Sequence, residues 1–323
     1  MQASDYVGWD IEDLHPAGMR YRRLGEGSLQ ISSISLSLQC ASARYGNLVE
    51  QRALVRQALD LGINHFTLTC STIPASRAKE AALAKYIEDA LYRRDDMVIS
   101  AQIGFNPRES PVGFGSRDHV LRSLDAILRR TGLEYLDILC AYRYDPSVPL
   151  EETMGALASA VDQGKVKHVG LSGYAPAPTK KAADLLIELG TPAIVYFGPF
   201  SMLHPWAEVG LLGILDSKGI GFLSDAPLPT CFVASGSWME HEGETRSDYS
   251  PVVGEAITDV FAKLAASRGQ SLAGLGLSWV LNKRQVVSVL VDVTSPRQLK
   301  EYCTVVDKIH FSSAELAVID SCR

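Results

Sequence analysis

Several side chains at the ends of β-rich runs have the right types for acid–base or hydrogen-bonding work on a small molecule. GINHFTLTCSTIP (62–74) carries Thr67 and Thr72, MVISAQI (97–103) carries Gln102, LDILCAY (136–142) closes on Tyr142, and GFLSDAP (221–227) contains Asp225. A phenol and a carboxylate in one pocket can move a proton without a redox partner, which suits isomerisation, dehydration or ring closure. The threonines and the glutamine add donors and acceptors without adding charge. Cys70 and Cys140 lie near two of the same ends, but a reactive thiolate needs a neighbouring base or cation. His204, just past the sixth run, is the histidine placed nearest the rim, so core packing is the first reading for both cysteines. His65 and His168 lie within strands and read as structural histidines whose ring nitrogens are satisfied.

The elements that would position these residues are legible from the alternation of β-rich and helical segments. Strand candidates are ISSISLSL (31–38), NHFTLTC (64–70), MVISAQI (97–103), LDILCAY (136–142), KHVGLSG (167–173), AIVYFGP (193–199), GFLSDAP (221–227) and VVSVLVDV (286–293). Helical periodicity fills intervening segments such as 49–62, 76–94, 116–132, 150–164 and 179–190. Ser116 is placed to cap its helix, and Gly62, Gly132, Gly164 and Gly190 fall where a helix C-terminus favours glycine. Eight β-then-α units close most naturally into a (β/α)8 TIM barrel. The alternative is an open doubly wound sheet, which lacks support because no G-x-G-x-x-G follows the first strand. A hairpin over 19–33, turning near Gly25 to Gly27, is expected to plug the lower mouth. Residues 230–252, with Trp238 and Tyr249, form a long polar loop expected over the upper face.

Bulk properties narrow the partners. An apolar content of 46% over 323 residues supports a large core, read as a single barrel domain over 1–323 with 1–18 as an N-terminal extension. A net charge of −6 provides no basic surface for nucleic acid or anionic lipid, so neither is expected as a partner. No apolar run reaches the roughly 18 residues of a membrane span, and the acidic start does not read as a signal peptide, so a cytoplasmic location is expected. The cysteines show no C-x-x-C spacing, and no metal site is expected.

GLEYLDILCAYRYDPSVPLEETMGALASAVDQGKVKHVGLSGY (132–174), together with MRYRRLGEGSLQISSISLSL, LVRQALDLGINHF, SRDHVLRSLDAIL and TSPRQLKEY, resembles the aldo-keto reductase superfamily over about residues 19–320. It is most similar to the branch containing potassium-channel β-subunits and bacterial glyceraldehyde-3-phosphate reductases. The resemblance implies the same barrel. It also implies a catalytic tetrad of aspartate, tyrosine, lysine and histidine, whose positions here read Thr67, Thr72, Gln102 and Tyr142. An aliphatic hydroxyl is a far weaker acid than a phenol of pKa about 10, and a glutamine carries no charge to strengthen it.

The implied cofactor positions read Ser172 and Gly173, Phe197, Asp225, Asp292, Thr294, Ser295, Gln298 and Tyr302, with Arg297 on the helix side. A carboxylate at Asp292 and a neutral Ser295 in place of a cation predict poor affinity for the phosphate of NADPH. The expectation is therefore a barrel that has lost hydride transfer, uses no cofactor, and binds or converts without redox a small organic molecule. One alternative is an NADPH-dependent aldo-keto reductase with a relocated proton donor such as Tyr142. Another is a noncatalytic, protein-binding subunit. The resemblance leaves a homo-oligomer open.

Overall fold

The computed structural model describes residues 16–25, 28–38, 48–68, 91–105, 112–228, 232, 255–293 and 295–322. Short parallel strands form a closed barrel: β3 (Ile34–Ser37), β4 (His65–Leu68), β5 (Val98–Gly104), β6 (Leu136–Tyr142), β7 (Val166–Ser172), β8 (Ala193–Gly198), β9 (Gly221–Ser224) and β10 (Val286–Val291). β10 pairs with β3 at Val289↔Ile34 and Leu290↔Ser35, which closes the cylinder and leaves no free sheet edge. Ahead of it, β1 (Tyr21–Arg23) and β2 (Gln30–Ser32) form an antiparallel hairpin.

The near-continuous apolar runs follow from burial on both faces. On β5, Ile99, Ala101 and Ile103 belong to the layer between strands and helices, whereas Val98 belongs to the barrel interior. The interior cluster also contains Ile138, Cys140, Val195, Phe197, Leu223 and Leu290, with Leu24 and Ile31 of the hairpin beneath them. Each large apolar side chain removed from water in this way contributes about 1.5–3 kcal/mol. Gly170 is required here, because a Cβ would lie 2.6 Å from Cys140 Sγ.

Apart from 76–94, the helices named from periodicity are present. α1 (Leu48–Asp60) precedes β4; α2 (Arg117–Thr131) starts with the Ser116 hydroxyl accepting from His119 N–H and ends on Gly132 at φ 72°. Such a cap stabilises by about 1 kcal/mol. α3 (Leu150–Asp162) and α4 (Pro176–Glu188) follow β6 and β7. α4 begins before the predicted 179, because Pro176 at the first position needs no N–H partner and pre-sets the helical φ. The chain continues through α5 (Leu211–Ser217), α6 (Glu255–Ser267), α7 (Leu272–Leu281), α8 (Pro296–Cys303) and α9 (Ser313–Asp320). Of the predicted helix over 76–94, residues 76–90 lie outside the described residues, and Leu91–Asp96 forms 3₁₀ turns.

The first predicted strand, 31–38, divides at Ser33. Ser33 donates its N–H to Arg20 O at 2.8 Å, so Gln30–Ser32 serves the hairpin and Ile34–Ser37 the barrel. Tyr21 Oη donates to Gly62 O at 2.7 Å and Arg22 to Leu281 O at 2.9 Å, fastening the hairpin to the ends of α1 and α7. Leu24 meets Gly221 at the start of β9, where an added Cβ would come within 3.1 Å of its Cδ2. The hairpin thus closes the end of the barrel where the strands begin. No helix among the described residues is long and apolar enough to cross a membrane.

Candidate functional site

Register places Gln102, Tyr142 and Ser172 around the C-terminal end of the barrel. Gln102 pairs with Cys140, Cys140 with Gly170, Gly104 with Tyr142, and Tyr142 with Ser172. The Ser172 hydroxyl donates to Gln102 Oε1 at 2.9 Å, bridging β5 and β7 across β6. Tyr142 is half-buried, its ring against Gly173, where a Cβ would lie 3.2 Å from Cε2. Its backbone is equally constrained. A Cβ on Gly104, at φ 135°, would fall 2.1 Å from Tyr142 O, and that carbonyl also accepts Phe105 N–H at 2.8 Å.

Arg143 follows with φ 39°, the described non-glycine residue held in the left-handed region. Such strain persists only where surrounding contacts enforce it, and it clusters at functional sites. The contacts are visible: the guanidinium carbon sits 5.0 Å over the Phe105 ring and 5.7 Å from the Tyr142 ring. Phe105 itself packs edge-on against Phe114 at 5.4 Å. Beyond the turn, Asp145 is buried and accepts from Gly115 N–H at 3.0 Å and Ser147 N–H at 2.9 Å. Burial raises this carboxyl's pKa, but hydrogen bonds from Ser147, Gly115 and Gly113 prevail and lower it below the usual range.

Thr67 is fully buried one level beneath Gln102, since it pairs with Ser100, two residues earlier on β5. Its hydroxyl lies 2.9 Å from Ser100 Oγ, which is in turn 2.9 Å from His65 Nε2. His65 reads correctly as a satisfied histidine, and burial pushes its pKa down to about 3. Cys140 is buried in the interior, and burial drives its thiol pKa upward, consistent with a packing role. Asp225 is half-buried just past β9 and donates its N–H to Gly198 O at 3.2 Å. It stands three strands around the barrel from Tyr142.

Thr72, Cys70, Thr294, Trp238 and Tyr249 lie outside the described residues, as does all of 230–252 except Phe232. The inward serines Ser35, Ser100 and Ser288 were not singled out, although serine at alternating positions of otherwise apolar strands was a signal available in the sequence.

At the other side of the mouth, β10 runs into α8. The Ser295 hydroxyl accepts from Gln298 N–H at 3.2 Å, and Gln298 Nε2 donates to Tyr302 Oη at 2.9 Å. Burial raises the Tyr302 pKa, with a smaller opposing effect of the Gln298 hydrogen bond. Pro296 at the start of α8 carries no N–H and Gln298 N–H is taken by the Ser295 hydroxyl, so what this helix start offers an anion is chiefly the Arg297 side chain in its first turn. Phe197 is different: it is fully buried and its ring centroid lies 6.1 Å from that of His65.

Comparison with known proteins agrees with this architecture. The profile of the Aldo/keto reductase family matches residues 40–323. The chain is 36% identical over 317 residues to an L-glyceraldehyde 3-phosphate reductase of Escherichia coli O157:H7, covering 94% of this chain and 92% of that protein. A protein of the same name from Escherichia coli K12 is 35% identical over the same span. A putative voltage-gated potassium channel subunit beta of Schizosaccharomyces pombe is 27% identical, covering 93% of this chain and 92% of that one. Among solved structures, the thermostable aldo-keto reductase Tm1743, in complex with epalrestat, superposes with a TM-score of 0.73 at 22% identity, over 94% of this chain and 100% of that chain; this likeness concerns the fold.

These matches overturn the expectation that no cofactor is used. Reduction of a carbonyl needs a hydride, which amino-acid side chains do not supply, and a reductase family with reductase-named relatives points to NADP(H). The structure is compatible at the β10–α8 turn, where Ser295, Arg297 and Gln298 stand at a helix N-terminus. The expectation rested on the carboxylate of Asp292 and on a neutral Ser295 in place of a cation, and set aside Arg297, which stands in the first turn of α8. With the family profile spanning most of the sequence and the reductase relatives aligned nearly end to end, the chain belongs to the Aldo/keto reductase family.

Proposed function

We propose that the protein is an NADP(H)-dependent reductase of a small anionic aldehyde, with Tyr142 as its proton donor. The observation that carries this reading is the placement of a phenol at the C-terminal end of β6, held between Gly104 and Gly173 and flanked by the Arg143 guanidinium. Active sites of such barrels lie at this end, so the position is the expected one for chemistry. NADPH, when bound, supplies the hydride. Ser295, Arg297 and Gln298 would hold its phosphate at the start of α8, and the Ser172–Gln102 pair would orient the amide-bearing end. Tyr142 holds the proton destined for the carbonyl oxygen. Arg143, a fixed planar cation, binds the substrate's anionic group. The name shared by the relatives of 35% and 36% identity supports this substrate class.

The test joins binding with turnover. NADPH fluorescence should reveal saturable binding, and glyceraldehyde 3-phosphate should oxidise the bound coenzyme. Tyr142→Phe should lower kcat by about 10²–10⁴-fold, the usual contribution of one acid–base group, and leave the NADPH dissociation constant unchanged. Full activity in Tyr142→Phe would remove the phenol from the mechanism. Failure to bind NADPH at millimolar concentration would overturn the reading altogether.

A further inference from the structure

Across the barrel interior runs an unbroken chain of hydrogen-bonding groups, all fully buried. Ser288 Oγ lies 2.6 Å from Ser35 Oγ, Ser35 Oγ 2.7 Å from His65 Nδ1, His65 Nε2 2.9 Å from Ser100 Oγ, and Ser100 Oγ 2.9 Å from Thr67 Oγ1. It links β10, β3, β4 and β5, four neighbouring strands of the closed sheet. The ring is neutral at ordinary pH, because burial opposes the charged form and Ser35, Ser100 and Phe197, against which it packs, do not ionise.

A neutral imidazole donates from one nitrogen and accepts at the other, so the chain has a direction. The four hydroxyls and the one imidazole N–H bring five donor protons to four contacts. Among the described residues, these contacts leave one proton over. With the proton on Nδ1, the surplus falls on Ser35 or Ser288; with the proton on Nε2, it falls on Ser100 or Thr67. The two ends have different surroundings. Ser35 pairs in register with Leu290 and Ser288 with Leu223, both apolar. Thr67 and Ser100 lie directly below Gln102, on the side of the Ser172–Gln102 pair and the barrel mouth. A donor without an acceptor is costly in an apolar interior, so the surplus belongs at the mouth end.

We propose that Thr67 offers its O–H to an oxygen of a ligand seated in the mouth, and that His65, as the Nε2–H tautomer, is the positioning residue that aims it through Ser100. This extends the carbonyl chemistry proposed above and rests on it for the ligand class, whereas the tautomer does not depend on that reading.

Two measurements test it. Nitrogen-15 NMR of the imidazoles in the intact protein should show one histidine locked as Nε2–H from pH 5 to 9, disappearing in His65→Gln. An Nδ1–H form, or titration in that range, overturns the proposal whatever the enzyme does. In turnover with NADPH and glyceraldehyde 3-phosphate, Thr67→Val should raise KM about 10-fold, as loss of one hydrogen bond does, with the NADPH dissociation constant unchanged and Thr67→Ser near wild type. An unchanged KM in Thr67→Val overturns it as well. Absence of NADPH binding instead sinks the reductase reading and leaves the tautomer result standing.

Discussion

Tyr142 and Arg143 show how much adjacent side chains can depend on backbone geometry. The phenol was legible in the sequence because a tyrosine closes a run of six other strand residues, LDILCAY, whose observed limits match the predicted ones. The strain at Arg143 was not legible, since a left-handed φ in a non-glycine residue leaves no mark on composition. Its guanidinium gains from stacking on Phe105 as well as from charge, so lysine would not replace it. Arg143→Met should raise KM for glyceraldehyde 3-phosphate by about 10- to 100-fold, the loss expected for a charged hydrogen bond, and leave KM for unphosphorylated glyceraldehyde nearly unchanged. Steady-state kinetics with the two aldehydes measures the difference directly.

At the scale of elements, the strands were readable because burial on both faces produces apolar runs, and the helices because caps and periodicity coincide. What escaped was the division of 31–38 at Ser33, a tertiary effect in which the Arg20 carbonyl takes the N–H that would otherwise continue the strand. The inward serines escaped for a related reason: Ser35 and Ser100 meet a histidine, and Ser288 meets Ser35, on neighbouring strands distant in sequence. Gly104 makes the coupling between strands explicit. Its φ of 135° and the 2.1 Å that would separate a Cβ from Tyr142 O mean that Gly104→Ala must push β5 and β6 apart. Strain plus steric overlap should cost about 2–4 kcal/mol of stability, visible in the urea midpoint. Reductase activity should fall further than stability, because the displaced carbonyl belongs to the proposed proton donor.

For the whole molecule, the buried imidazole couples folding to acidity. The unfolded chain protonates His65 near 6.5, whereas the folded ring resists until about 3. Unfolding therefore takes up a proton throughout that interval, and stability contributed above pH 6.5 is lost as the pH falls, by up to about 1.4 kcal/mol per unit. Urea unfolding of the wild type and of His65→Gln between pH 7 and 4 should give lines that converge toward acid, because only the wild type carries this contribution. Parallel lines would show that the ring titrates alike in both states.

The β1–β2 hairpin has a kinetic corollary. With Leu24 and Ile31 sealing one end of the cylinder, traffic to the interior passes through the opposite opening. Two visitors sharing a doorway queue: the one that settles deeper against the wall must arrive first and depart last. A dead-end vessel of this kind favours compulsory-order turnover, in which release of the spent carrier, on the proposal that α8 grips it, closes each cycle.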